Sequence, residues 1–83
     1  MTTMAIMVEV YYRAPANQAK ETVLTTRVGG LGGRLSYREV PEDKRDGSVC
    51  LTYEFDDRDQ ASRAAALLRE QGEHVEGPVD YGP

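Results

Sequence analysis

The segment from Ser48 to Phe55 alternates large apolar and smaller or polar side chains without exception. A period of two in β-branched and aromatic residues predicts a strand with one buried face. Residues 6–13 repeat the pattern. The apolar sets are Ile6, Val8, Val10 and Tyr12 in the first segment and Val49, Leu51, Tyr53 and Phe55 in the second. Two such strands require a sheet that is covered on one side and uncovered on the other.

Two helices are predicted between the strands. Pro15 suits the first turn of a helix over residues 16–28, and Gly29-Gly30 would end it. Its predicted inward stripe is Ala19, Val23, Leu24 and Thr26. Asp57 or Asp59 can cap a second helix that runs to about Gln71. Its predicted inward stripe is Ala61, Ala64, Ala65 and Leu68.

Two weaker strands complete the pattern, at Arg34–Val40 and His74–Tyr81, with a polar loop over residues 41–47. Strict alternation would turn Leu35 and Tyr37 inward in one of them. In the other it would turn Val75, Val79 and Tyr81 inward. Pro78 lacks a backbone donor, which makes the last segment an edge strand.

The element order strand, helix, strand, strand, helix, strand is typical of ferredoxin-like α+β folds. Right-handed crossovers give an antiparallel sheet of order 4-1-3-2 with both helices on one face. Residues 1–83 are expected to form a single domain of this kind, since the chain is too short for a second core. Many unrelated functions occur on this fold, so the topology alone assigns none.

The same parity names the side chains on the uncovered face of the sheet. These are Met7, Glu9, Tyr11, Arg34, Arg38, Cys50, Thr52, Glu54, His74 and Glu76. Arg13 of the first strand, Ser36 at one edge and Asp80 at the other would join them. One hypothesis is a solvated face with weak cross-strand ion pairs. The other is that the central stripe packs on the same face of a second copy, since Tyr and Met are enriched at interfaces.

Charge argues against several partners. The net charge is −4 and the pI is about 4.9, which disfavours nucleic acid and anionic membrane surfaces. The charge is uneven, because residues 1–38 hold five basic and two acidic residues whereas residues 39–83 hold five and twelve. A lone cysteine excludes an internal disulfide, and the first residues lack the features of a signal peptide. We therefore expect a cytoplasmic protein.

The residues that could form a phosphate loop, a nucleophile–base pair or a metal site lie in contexts that do not suit these roles. The glycines at 29–33 follow a helix and precede a strand, which is the wrong context for a phosphate loop. Cys50 and His74 would be separated by the first strand, too far apart for a nucleophile–base pair. Glu9, His74 and Glu76 could in principle approach a divalent metal, but such groups on a sheet face are mostly solvated. We expect no metal and no cofactor.

The sequence therefore favours a non-enzymatic association or regulatory module, acting as a homodimer through the sheet face or an edge strand. The alternative is a small dimeric enzyme in which Tyr12, Tyr37, Tyr53 or His74 lines a pocket, or an ACT-like small-molecule module. An ACT-like module would usually carry glycine in the turn at residues 13–17, which this chain lacks. A metal-chaperone domain would need paired cysteines there.

Overall fold

The computed structural model describes residues 5–43 and 46–81, which form four strands and two helices. The elements are β1 (Ala5–Arg13), α1 (Gln18–Gly29), β2 (Arg34–Glu39), β3 (Ser48–Phe55), α2 (Arg58–Glu70) and β4 (His74–Tyr81). The strands form one antiparallel sheet in the order β2-β3-β1-β4, and both helices cover one face. The predicted ferredoxin-like topology is confirmed.

The core lies between the helices and the two central strands. The eight apolar residues that alternate along β1 and β3 are all buried, as the pattern predicts. Helix α2 adds its predicted stripe of three alanines and Leu68. Asp57 caps α2, as predicted, by accepting from the backbone of Asp59. Three of these four side chains are methyl groups, which allow a helix to pack closely on a sheet.

Of the four residues in its predicted stripe, helix α1 buries only Leu24. Leu24 and Val28 enter the core, whereas Ala19, Val23 and Thr26 are exposed. Val28 and Leu24 lie four residues apart on one face, and the stripe of Ala19 and Val23 has the same spacing. The helix also begins two residues later than predicted, because Asn17 caps it by accepting from the backbone of Lys20.

The glycine-rich segment after α1 ends the helix and turns the chain into β2. The backbone of Gly33 donates to the carbonyl of Val28, which satisfies one of the carbonyls exposed at the helix end. A Cβ at Gly33 would overlap the side chains of Val28 and Phe55. The absence of a side chain therefore allows the close approach of this turn to the core.

Both edge strands contain one extra residue relative to their neighbours. The register shifts between Leu35 and Tyr37 in β2, and between Glu76 and Val79 in β4. Each bulge reverses the alternation beyond it, since the side-chain period of a strand is two. The predicted alternation is therefore wrong for the second half of β2 and for the end of β4.

Within the described residues, neither helix combines the length and the apolarity that a membrane span requires. The predicted loop at 41–47 includes residues 44 and 45, and these lie outside the described part of the chain, as do residues 1–4. The side chain of Tyr81, predicted to point inward, also lies outside it.

Candidate functional site: the uncovered sheet face

The uncovered face of the sheet is called the free face below. It carries three complete rows of side chains, and each row contains one residue from each of the four strands. Cross-strand pairing sets the rows, because residues directly opposite one another point to the same side of a sheet. In the order β4, β1, β3, β2, the first row is His74, Tyr11, Cys50 and Glu39. The second row is Glu76, Glu9, Thr52 and Tyr37, and the third is Val79, Met7, Glu54 and Arg34.

The bulges change the membership of this face. Arg38, predicted on the free face, lies opposite Leu51 and turns to the helix layer. Asp80, also predicted there, lies opposite Ile6 and pairs with Arg58 of α2.

Three residues that the alternation missed lie on the free face instead: Tyr37, Glu39 and Val79. Gly77-Pro78 in β4 is a sequence signal for the second bulge, because proline and glycine disfavour a regular ladder. Nothing at Ser36 signals the first one.

Glu9 is the hydrogen-bonding centre of the free face. Its carboxylate accepts from the Tyr11 hydroxyl at 3.3 Å and from the Cys50 thiol at 3.7 Å. The Cys50 Sγ also lies 3.9 Å from the Thr52 hydroxyl. The middle of the face is therefore polar but internally hydrogen-bonded, and its side chains are half-buried within the monomer.

Neither the thiol nor the phenol at the centre is activated. Burial raises the pKa of the Cys50 thiol, which lowers the fraction of thiolate at neutral pH. Interaction with the Cys50 thiol, followed by burial, raises the pKa of the Tyr11 phenol well above its ordinary value. Both groups stay protonated and serve as hydrogen-bond donors.

Cys50 and His74 lie on opposite sides of Tyr11. They pair with it from β3 and from β4 respectively, so strand β1 separates the thiol from the imidazole, as predicted. The His74 ring meets the Tyr11 ring edge-on, with centroids 5.6 Å apart. Such a contact orients the imidazole through packing, and the His74 side chain stays 69% exposed.

The charges of the free face are arranged asymmetrically. Arg34 binds Glu54 at 2.7 Å and Asp56 at 3.2 Å, which neutralises one corner. His74 Nε2 lies 3.8 Å from Glu76 at the opposite corner. No ion pair with Glu39 occurs among the residues that the structure describes. In the first row, the β2 edge therefore presents the carboxylate of Glu39, and the β4 edge presents the imidazole of His74.

A second polar cluster lies on the helix side of the sheet. The Arg38 guanidinium binds Glu21 through Nε at 2.6 Å and through a second nitrogen at 3.1 Å. Tyr12 also donates to Glu21, and its oxygen accepts from the backbone of Asn17 at 2.8 Å. The Arg38 hydrogen bonds lower the pKa of Glu21, although burial opposes them. Every polar group in this cluster already has a partner, so it fixes α1 to the sheet.

The surface depressions are shallow and open to solvent. One of about 450 Å³ lies at a corner of the free face, between Tyr11, Arg13, Ser48, His74 and Glu76. Others of about 530 and 500 Å³ flank the turn after β1. Ligand pockets are usually enclosed and mainly apolar, with a few convergent polar groups. These depressions do not have that form.

The four residues named by the enzyme hypothesis do not converge. Tyr12 and Tyr53 lie in the core, where the Tyr53 hydroxyl is 3.0 Å from that of Thr25. Tyr37 and His74 lie on the free face, at its two opposite edges. The sheet separates the two pairs.

Metal binding and similarity to known proteins give no functional assignment. In residues 5–43 and 46–81, no three His, Cys, Asp or Glu side chains are grouped so that they could hold a metal ion. Comparison with protein-family models, with curated proteins and with solved structures finds no match. The free face is a candidate site on the basis of its side chains and their register.

Proposed function

We propose that this protein is a non-enzymatic association module, in which two copies pack their free faces together as a homodimer in the cytoplasm. The observation that carries the proposal is the composition of the centre of that face. Met7, Tyr11, Cys50 and Thr52 form a half-buried stripe, of which Met and Tyr are residue types enriched at interfaces. The Glu9 carboxylate beside it already accepts hydrogen bonds. Covering this stripe buries little unsatisfied charge.

The area available supports a modest dimer. Four strands of roughly eight residues give a face of about 19 by 26 Å, from the standard strand spacing and rise. Two such faces bury about 1,000 Å² in total, near the lower limit for specific interfaces. We therefore expect a dissociation constant in the micromolar range.

Catalysis by the same face has less support. The Cys50 thiol has a raised pKa and no imidazole beside it. The surface depression at the corner of the free face is open to solvent. A nucleophile requires the opposite, namely a thiolate stabilised by a neighbouring base or cation. Association uses the features that are present.

Sedimentation equilibrium of wild-type protein and of Cys50→Arg tests the proposal. Cys50 lies centrally, so an arginine there fills the space that a second copy needs. Within one copy it would lie between Glu9 and Glu39, which favours a folded monomer. Thr26→Arg is the matched control, because Thr26 is exposed on α1 in the other layer.

We expect dimers for the wild type and for Thr26→Arg at tens of micromolar, and monomers for Cys50→Arg. Circular dichroism establishes that all three proteins are folded. A wild-type monomer at several hundred micromolar, or a Cys50→Arg dimer as stable as the wild type, would refute the proposal.

A further inference from the structure

The register of the free face restricts how a second copy can dock, provided that the proposed face-to-face homodimer forms. Packed antiparallel sheets keep their strand directions within about 30° of each other. Closed dimers are usually two-fold symmetric. Only two aligned two-fold arrangements superimpose all three complete rows, one with its axis across the strands and one with its axis along them.

An axis across the strands is electrostatically poor. It places every strand over its own copy, so that Glu9 faces Glu9 and Glu76 faces Glu76 in the middle row. The Glu9 pair would be the most deeply buried contact of the dimer. Two like charges in a dehydrated centre repel strongly, because the local dielectric is lower than that of water. The same axis brings Glu39 of one copy over Arg34 of the other. These contacts offset the repulsion only slightly, because Arg34 is already bound to Glu54 and Asp56.

An axis along the strands pairs unlike groups instead. It places β1 over β3 and β4 over β2, in the same row. Glu9 then faces the hydroxyl of Thr52, Glu76 faces the phenol of Tyr37, and Tyr11 faces Cys50. No carboxylate faces a carboxylate. In the first row, the imidazole of His74 in each copy meets the carboxylate of Glu39 in the other copy, so this contact occurs twice per dimer.

We propose that the second copy docks about a two-fold axis parallel to the strands, so that His74 of each copy faces Glu39 of the other. This pair selects the orientation, because Glu39 has no ion-pair partner within the described residues of its own copy. His74 lies on the same row at the opposite edge, and its side chain is 69% exposed and only loosely engaged by Glu76 at 3.8 Å. Complementary charged and polar groups at an interface rim act mainly on specificity and orientation.

Charge exchange at the two positions tests the axis. His74→Lys should tighten the dimer and His74→Glu should weaken it, each by about tenfold, since every change acts at two rim contacts. The double variant His74→Lys/Glu39→Lys should again be weak, because lysine then faces lysine. The double variant His74→Glu/Glu39→Lys should recover wild-type affinity. Glu70→Lys on α2 is the control and should leave the affinity unchanged.

Mixing gives the sharpest measurement. The double-lysine chain and the His74→Glu chain each carry like charges at both contacts, so their homodimers should be weak, whereas the mixed dimer has two attractive pairs. Native mass spectrometry with one chain labelled with ¹⁵N should show the mixed dimer in at least tenfold excess over either homodimer.

The outcomes separate this inference from the proposed function. If Cys50→Arg abolishes the dimer while adding Glu39→Lys to His74→Lys or to His74→Glu leaves the affinity unchanged, the face is correct and the axis is wrong. A statistical distribution of mixed and homodimers would also overturn the axis. If the wild type does not dimerise, the proposed function fails and the axis fails with it.

Discussion

Three donors converge on the carboxylate of Glu21, and they come from two strands. The Tyr12 hydroxyl belongs to β1, and the two guanidinium nitrogens belong to Arg38 of β2. A half-buried carboxylate that accepts charged hydrogen bonds contributes more to stability than an exposed ion pair. The cluster also explains why Arg38 turns to the helix layer after the bulge in β2, since its charge is neutralised there.

Glu21→Gln should lower the free energy of unfolding by about 1–2 kcal/mol at neutral pH, because the charged hydrogen bonds are lost. The folded-state pKa of Glu21 lies below its unfolded value. Its contribution is therefore present above the ordinary glutamate pKa of about 4.3 and is lost as the pH falls through the lower folded value. Urea unfolding from pH 7 downward should show the wild-type advantage over Glu21→Gln shrinking in acid.

The control for this change is Glu70→Gln, since Glu70 is exposed at the end of α2. It should leave the stability within about 0.5 kcal/mol at every pH. A wild-type advantage at Glu21 that stays constant from neutral to strongly acidic pH would contradict the assigned role of the charge.

Gly33 lies where the turn after α1 comes closest to the core. A methyl group there would overlap Val28 and Phe55, both almost fully buried. Gly33→Ala should therefore cost about 1–3 kcal/mol through overpacking. Gly29→Ala is the matched control, because nothing lies within 4 Å of a Cβ at Gly29, which is in the last turn of α1. Chemical denaturation should show that only the change at Gly33 is destabilising.

At the scale of elements, helix α1 offers a direct comparison of two faces. Leu24 is 1% exposed and Val23 is 47% exposed, although they are neighbours in sequence. Leu24→Ala should cost about 2–4 kcal/mol, because it leaves a cavity against the sheet. Val23→Ala should change the stability by less than about 1 kcal/mol. Similar losses at the two positions would mean that the helix is rotated from the described orientation.

The buried stripes differ in how far sequence can predict them. Helix α2 has one apolar stripe, and its four residues are buried as predicted. Helix α1 has two stripes of comparable apolarity, one through Leu24 and Val28 and one through Ala19 and Val23. Periodicity cannot distinguish them, because both have helical spacing. The choice depends on contacts with the sheet.

The strands show the same division between local and tertiary information. The central strands β1 and β3 follow a strict period of two, so their inward and outward residues are predictable. The edge strands contain bulges, and one extra residue reverses the parity of all that follow. Of the predicted free-face residues that have a cross-strand partner, only Arg38 and Asp80 change side, and both lie beyond a bulge. The proposed dimer axis depends on Glu39, and its position on the free face could be recognised only from the observed register.

At the scale of the whole molecule, association and stability should be coupled. A domain of this size buries a smaller fraction of its surface than a larger one, and its stability is correspondingly modest. Packing the free faces would add buried area in the native state alone. Ligands and partners that bind only the native state raise its stability by mass action.

The thermal midpoint of the wild type should therefore rise with protein concentration. For a dimer that unfolds to two separated chains, each tenfold increase in concentration stabilises a chain by about 0.7 kcal/mol, half of the tenfold free-energy factor. A domain of this size shifts by roughly 4–8 °C per kcal/mol, which gives about 3–6 °C per tenfold increase. Cys50→Arg should show no such dependence, because its monomers unfold independently. Differential scanning calorimetry over two decades of concentration measures both proteins, and a midpoint independent of concentration in the wild type would contradict a dimer that is coupled to folding.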